Sequence, residues 1–206
     1  MRDPIFDELK VRFNEKGKRL YLVGGSVRDL LLGRHYTDHD MVTDATPDEM
    51  KDIVPEGNFV FAKYGSVRLK VNGEEVDITS LRKEGEYNDS RHPSYIEFIK
   101  DPEVDSIRRD FTINAMYLDE NYNLLDFHSG KADLDNKIIR FIGDPEKRIK
   151  EDPLRICRAE RFAEVLRFKI EDNTLKAIES LRPLLKVLKK EKIEEEQRKL
   201  ARGKKI

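Results

Sequence analysis

A single cysteine, Cys157, occurs in 206 residues. That rules out an internal disulfide and fits a reducing compartment. No apolar run reaches the roughly 20 residues that a membrane-crossing helix needs, and the N-terminus lacks a signal-like apolar stretch. The expectation is a soluble, cytoplasmic protein. Net charge is nearly absent too. The 40 basic and 41 acidic residues leave −1, which hides local patches of both signs and says little about partners. No internal repeat is visible. The length suits one domain or two small ones. Charged residues make up 39% and hydrophobic ones 38%, so the surface is heavily charged but a core can form.

The most informative stretch is L-V-G-G-S-V-R-D-L-L-L-G-R-H-Y-T-D-H-D, residues 22–40. Arg19 to Val23 is apolar and branched enough to be a buried strand. Gly24 and Gly25 break it and let backbone or ligand approach closely. Ser26 suits an N-cap, Val27, Leu30 and Leu31 share one helical face, and Gly33 suits the helix end. A helix start there would offer N–H groups and a positive dipole end to an anion. Arg28 and Asp29 lie off the apolar face. Taken alone, the paired glycines fit a packing turn equally well. Asp38 and Asp40 follow, two apart and so on one side of a strand. Bare carboxylates so placed repel unless a cation lies between them. Oxygen ligands of this kind suit Mg²⁺, held by one or two carboxylates and substrate phosphates. Taken alone, Asp-x-Asp also describes a solvated acidic loop.

The glycine turn and the acids, G-G-S-V-R-D-L-L-L-G-R and D-H-D-M-V-T, are followed by two further runs. These are R-R-D-F-T-I-N-A-M at 108–116 and E-D-P-L-R-I-C-R-A-E-R-F at 151–162. In this order they resemble the motifs of the tRNA nucleotidyltransferase and bacterial poly(A) polymerase family, the class II CCA-adding enzymes. The resemblance implies an α+β fold. A small nucleotidyltransferase (polymerase beta-like) mixed sheet flanked by helices would span 1–142, and an all-helical base-reading neck would span 143–206. It implies Mg²⁺-dependent addition of C and A from CTP and ATP to a tRNA 3′ end. Asp38 and Asp40 would hold Mg²⁺, and Gly24, Gly25, Ser26 and Arg28 would cradle phosphates. Arg109 would contact nucleotide phosphate, with Asp110 as a ribose or structural contact. Arg155, Arg158 and Arg161 recur every third residue. This is the usual mark of a solvated basic face, though beginning just after an N-terminal acid it also suits a nucleotide cleft.

The same resemblance makes Asp152 and Arg155 a base reader, and the chemistry agrees. Cytosine and adenine present an amino donor beside a ring-nitrogen acceptor, whereas uracil and guanine present the reverse. A carboxylate only accepts and a guanidinium only donates. Mismatched buried groups cost about 1–3 kcal/mol each, so the pair can reject U and G.

The rest of the chain supports these motifs. Residues 1–18 read as a helix carrying Ile5, Leu9 and Phe13. Thr46, Pro47 and Glu49 form a capping box for a short helix that ends near Pro55. Asn72-Gly73 joins strands 65–71 and 74–80 as a hairpin. On its second strand Glu75, Asp77 and Thr79 face one way. An outward acid on an edge hairpin is unremarkable. In the family, however, an acid on this strand completes the metal-binding carboxylate set, which raises Asp77 above Glu75. Residues 81–97 have no period and read as a long loop, either a lid or simple disorder. The family's flexible loop for switching from C to A falls here, at full length. Residues 106–119 fit strand or helix equally. A strand follows at 124–127, then a polar turn at 130–136 and a strand at 138–142. Helices are expected from Asp152 and over 172–188, the latter interrupted at Pro183. The charged 186–206 stretch reads as a solvated helix or frayed tail.

His35, His39, His92 and His128 show no metal-ligand spacing and read as ordinary polar residues, while Cys157 reads as core. Full-length relatives carry further helical domains for the tRNA elbow. Relative to them, this chain would be a truncated form, a minimal enzyme, or one completed by a partner. Rival activities are an A-adding enzyme or poly(A) polymerase of the same family, a silent nucleotide- or RNA-binding module, and a small-molecule nucleotidyltransferase.

Overall fold

The computed structural model describes residues 2–85 and 93–203. The described chain divides into two compact units. The first holds residues 2–84, 96–109 and 114–128, and the second holds 110–113, 129–203 and the described part of 85–95. The boundary expected after 142 differs from this partition. Residues 129–142 cluster with the helices because β9 (Ile138–Ile139) pairs with β10 (Lys169–Ile170).

In the first unit, α1 (Pro4–Glu15) forms where Asp3 caps the amides of Ile5 and Phe6 and Pro4 opens the first turn. Ile5, Leu9 and Phe13 are buried as their spacing requires. Next come β1 (Leu20–Val23), α2 (Gly24–Leu31), β2 (Asp38–Thr43) and α3 (Pro47–Ile53). The Thr46–Glu49 capping box is present. Then β3 (Ser66–Val71) and β4 (Glu74–Ser80) turn through Asn72 and Gly73, both at positive φ as a tight hairpin demands. The unit is completed by β5 (Arg82–Glu84), β6 (Ile96–Phe98), α4 (Pro102–Ser106), β7 (Met116–Leu118) and β8 (Leu124–Asp126).

Six strands form one mixed sheet in the order β3-β4-β2-β1-β7-β8, with β2 and β4 parallel and the other neighbours antiparallel. Tyr21, Val23, Val42, Leu81 and Tyr117 make a buried cluster at its middle. The expected α+β architecture is present, with helices packed on a mixed sheet.

The second unit is mostly helical. It comprises α5 (Gly130–Asp135), α6 (Pro145–Glu151), α7 (Leu154–Leu166), α8 (Asp172–Leu181) and α9 (Lys190–Gly203), with the β9–β10 ladder. Its core includes Phe111, fully buried, stacked on Phe141 and edge-on to Phe162. Among the described residues no helix is long and apolar enough to cross a membrane.

Several sequence expectations need correction. Helix α2 starts at Gly24, two residues before the expected Ser26 cap, because Val23 keeps extended geometry while Gly24 takes φ +68°. The stems of the expected 81–97 loop are the paired strands β5 and β6, and its remainder at 86–92 lies outside the described residues. The expected 130–136 turn is helix α5. Helix α6 was missed, although Asp144-Pro145-Glu146 is a cap signal and Asp144 does accept from the Glu146 amide. Of the charged C-terminal stretch, Lys190–Gly203 forms α9, the helix of the two expected alternatives, but it packs on α7 and buries Glu196 rather than lying solvated. Cys157 is half-buried rather than core.

Replacing Thr46 by Ala should remove the side-chain half of the capping box and cost about 1 kcal/mol. Urea unfolding reads this as a lower midpoint at unchanged slope.

Candidate active site

Strand alternation builds the centre of the first unit. On β2, Asp38 and Asp40 are exposed while His39 between them is buried. The parallel register sets Asp38 beside Glu75 and Asp40 beside Asp77, so Asp77 shares a sheet face with Asp38 and Asp40. Asp77 is held by Arg68, whose Nε and Nη2 donate to its two oxygens at 2.8 and 2.9 Å. A cleft of about 190 Å³ opens on this face, lined by Asp40, Asp77, Arg82, Arg108 and Arg109 among others.

The turn after β1 lies against Asp40. A Cβ on Gly24 would sit 3.3 Å from Asp40 Oδ2, at a positive φ that already disfavours side chains. A Cβ on Gly25 would meet the Arg28 guanidinium at 3.5 Å and Asp40 Oδ2 at 3.6 Å. The glycines therefore let the start of α2 approach the carboxylate, and no side chain among the described residues caps that start. Ser26 has a different task from the cap expected of it. Its hydroxyl accepts from the Asp40 amide at 2.8 Å and donates to the Asp38 carbonyl at 3.2 Å, clamping the acid-bearing strand. Arg28 is buried, held by Asp29 at its own helix and by Asn114, to which Nη1 donates at 2.7 Å.

Burial among protein atoms is the largest influence on Asp40 and pushes its pKa up, although the residue keeps one side open to solvent. Asp77 and Asp38 push the same way, against Arg109 and Arg28. Arg109 is fixed from behind. Its Nε donates to the Tyr117 hydroxyl at 2.8 Å, and its Nη2 to Asp105 at 3.1 Å. Asp105 is fully buried, which alone would raise its pKa, yet Arg108 and Arg109 pull it down to about 2. Asp105 also accepts from Arg108 Nε, from the Tyr117 hydroxyl and from the Arg82 amide. One buried carboxylate thus anchors two arginines of the cleft through their side chains and a third through its backbone.

His39 points to the opposite face of the sheet. Its Nδ1 lies 2.7 Å from Asp3 and its Nε2 2.6 Å from Glu74. Burial would lower its pKa, but hydrogen bonds to the two carboxylates outweigh it and raise the value. As an imidazolium it donates to both and ties β2 to the cap of α1 and to β4. Sequence reading missed His39, Asp105 and Asn114. Asp105 had a signal, standing three and four residues before Arg108 and Arg109. The other two had none, since their partners are remote in sequence.

The remaining expected residues belong to the second unit. Asp110 accepts from Arg158 Nε at 2.8 Å and from the Phe111 amide. Arg161 donates to Glu196 at 2.7 Å and lies 4.1 Å from the Phe162 ring centre. Asp152 caps the Leu154 amide. Arg155 is buried rather than on a solvated face, with Nη1 donating to the Arg148 carbonyl and to Glu151 at 2.8 Å each.

The raised pKa of His39 makes its clamp strongest when protonated. Its stabilising contribution is fully present below about pH 6.5 and is lost as pH rises through the folded value. Thermal melts between pH 6 and 9 should show a decline that His39→Gln lacks. Parallel curves for the two proteins would remove the charged clamp.

Comparison with known proteins identifies the family. The family model described as poly A polymerase head domain matches residues 20–140. The CCA-adding enzyme of Lactobacillus helveticus is 43% identical over 182 residues, which are 88% of this chain and 46% of that one. The CCA-adding enzyme of Bacillus licheniformis is 41% identical over 201 residues, 98% of this chain and 50% of that one. Among solved structures, the Bacillus stearothermophilus CCA-adding enzyme in complex with CTP superposes with TM-score 0.87 at 35% identity. The match covers 97% of this chain and 49% of that one. A tRNA nucleotidyltransferase complexed with a primer tRNA and an incoming ATP analog gives TM-score 0.77 at 32% identity, over 92% of this chain and 55% of that one. The chain spans about half the length of the curated relatives it matches. With the acids, the glycine turn and the arginines in one sheet-based unit and the head-domain match running over that same stretch, the chain belongs to the poly A polymerase head domain family.

Proposed function

We propose that this chain carries the catalytic and base-reading part of a template-independent tRNA nucleotidyltransferase, adding C, C and A to a tRNA 3′ end from CTP and ATP. The observation that carries this reading is the β2–β4 register, which pairs Asp40 with Asp77 on the sheet face that Asp38 shares, next to a helix start that no side chain among the described residues caps. On this reading the sheet unit is the head and the helical unit the neck. Work on tRNA fits a cytoplasmic protein.

Backbone N–H groups of Gly24, Gly25 and Ser26, with the immobilised Arg28, receive the triphosphate. Arg109 offsets its charge. Among the described residues no group of three or more His, Cys, Asp or Glu side chains is arranged to hold a metal. Mg²⁺ does not need one, because one or two carboxylates and substrate phosphates suffice. Asp38 and Asp40 fit that donor set. They are oxygen ligands of like charge; burial, Asp77 and Asp38 together push up the Asp40 pKa, and a divalent cation would relieve that crowding. When bound, such ions make the RNA 3′-hydroxyl a better nucleophile and stabilise the leaving pyrophosphate. Asp38 and Asp40 hold the nucleotide side, and Asp77 serves the hydroxyl side. Asp152 and Arg155 read the amino-donor and ring-nitrogen edge shared by C and A, for which Arg155 exchanges or shares its Glu151 contact. The half of the relatives' length that lies outside the match is where further grip on the tRNA body belongs.

Incubation with Mg²⁺, CTP and ATP on tRNAs lacking CCA, ending in C-C and complete should give C-C-A addition that then stops. A alone on the C-C end would make this an A-adding enzyme, and a long A tail a poly(A) polymerase. Asp40→Asn should lower transfer at least about 100-fold, the scale of losing one preorganised charge-stabilising group. Because the charged form of Asp40 is disfavoured in the fold, the same variant should melt at a higher temperature than the parent in the absence of metal. A lower melting temperature would contradict the crowding of Asp40.

A further inference from the structure

Beyond Asp77 the sheet ends at β3, and the turn that enters β3 exposes large apolar side chains. Val60 is 71% exposed and Phe61 58%. Tyr64 and Phe98 are exposed as well. Phe61 immediately precedes the 3-10 turn Ala62–Tyr64, and the Tyr64 amide donates back to the Phe61 carbonyl. Phe98 lies beside them, with its ring 2.9 Å from where a side chain on Gly65 would begin. The β5–β6 register sets Phe98 opposite Arg82, and Arg82 donates to the Tyr64 carbonyl. Arg82 and Ser66 also line the cleft that holds Asp40 and Asp77. The aromatic surface and the carboxylate cleft therefore share a border.

Charge points to the occupant. Residues 57–65 contain no acid, and their one lysine, Lys63, holds its ammonium 4.8 Å from the Tyr64 ring centre. Exposed aromatic faces with a cation alongside suit nucleic-acid bases and phosphates. Position points the same way. In the order β3-β4-β2-β1, Asp40 has the α2 helix start on its β1 side and Asp77 on its β4 side. Neighbouring strands lie about 4.8 Å apart, so β3 is about 10 Å from β2. If the triphosphate takes the α2 side, the attacking hydroxyl arrives over β4 and β3. The end being extended also need not carry the same last base at every addition. Stacking tolerates any base, because every base has a π-face.

We infer that Phe61, Tyr64 and Phe98 form a stacking platform for the unpaired 3′-terminal bases of the acceptor RNA, with Lys63 at their phosphates. This rests on the nucleotidyltransferase reading above and adds to it the face over which RNA enters.

The test is fluorescence anisotropy of the 206-residue chain with a labelled RNA hairpin carrying a single-stranded 3′ overhang, beside a blunt-ended hairpin. The double variant Phe61→Ala, Tyr64→Ala should bind the overhang about tenfold or more weakly. It should bind CTP, measured by calorimetry, as the parent does. Phe61→Trp should retain overhang binding, and the blunt hairpin should bind parent and double variant alike. Overhang binding unchanged in the double variant, with transfer intact, would overturn the platform and leave the nucleotidyltransferase reading standing. A parent that binds no overhang RNA and transfers nothing would bring down both. Self-association of the parent that the double variant loses would assign the surface to a second copy and overturn the platform.

Discussion

Like charges set the terms of this structure. Asp38, Asp40 and Asp77 stand on one face of neighbouring strands, and like charges so placed repel one another. Left to themselves, such side chains would splay or take up protons. Much of the first unit can be read as the restraint that prevents this. The Ser26 hydroxyl pins the β2 backbone at the Asp38 carbonyl and the Asp40 amide, and Arg68 holds Asp77 in place. His39, on the reverse face, fastens the same strand to α1 and β4.

The positive charges that balance the acids need support of their own, since a buried guanidinium is costly without partners. Asp105 provides it. A single buried carboxylate accepts from Arg108, Arg109, Tyr117 and the Arg82 amide, so the arginine side of the cleft is held as one network. Arg28 is treated similarly by Asp29 and Asn114. Charge on both sides is fixed before any ligand arrives, which is what electrostatic stabilisation of a developing charge requires.

Local signals in the sequence were reliable where the cause was itself local. The Asn72-Gly73 hairpin, the Thr46 capping box and the alternation around Asp77 follow from neighbours a few residues apart, and all three are present. Asp38 and Asp40 share a sheet face as their two-residue spacing requires, whereas Arg109 was singled out by the resemblance alone. What escaped was set by distant partners. Nothing near His39 announces Asp3 and Glu74, and nothing near Arg28 announces Asn114. The α9 stretch looked solvated because its composition is charged, while its docking depends on Glu196 meeting Arg161 of α7. Ser26 looked like a helix cap because cap chemistry and strand-clamp chemistry use the same hydroxyl.

The chain passes from one unit to the other more than once. Arg109 closes a segment of the first, and Asp110 to Ile113 belong to the second before Asn114 returns to the first. The four-residue insert carries Phe111, whose ring completes the aromatic stack with Phe141 and Phe162. The units are therefore not modules in the genetic sense. A recombination crossover at 128/129 would hand on the helices without the ring at the centre of their core. Exchange of such halves between relatives would succeed only where the short R-R-D-F-T-I-N-A motif travels with both parents' cores in mind, which ties the inheritance of one unit to that of the other.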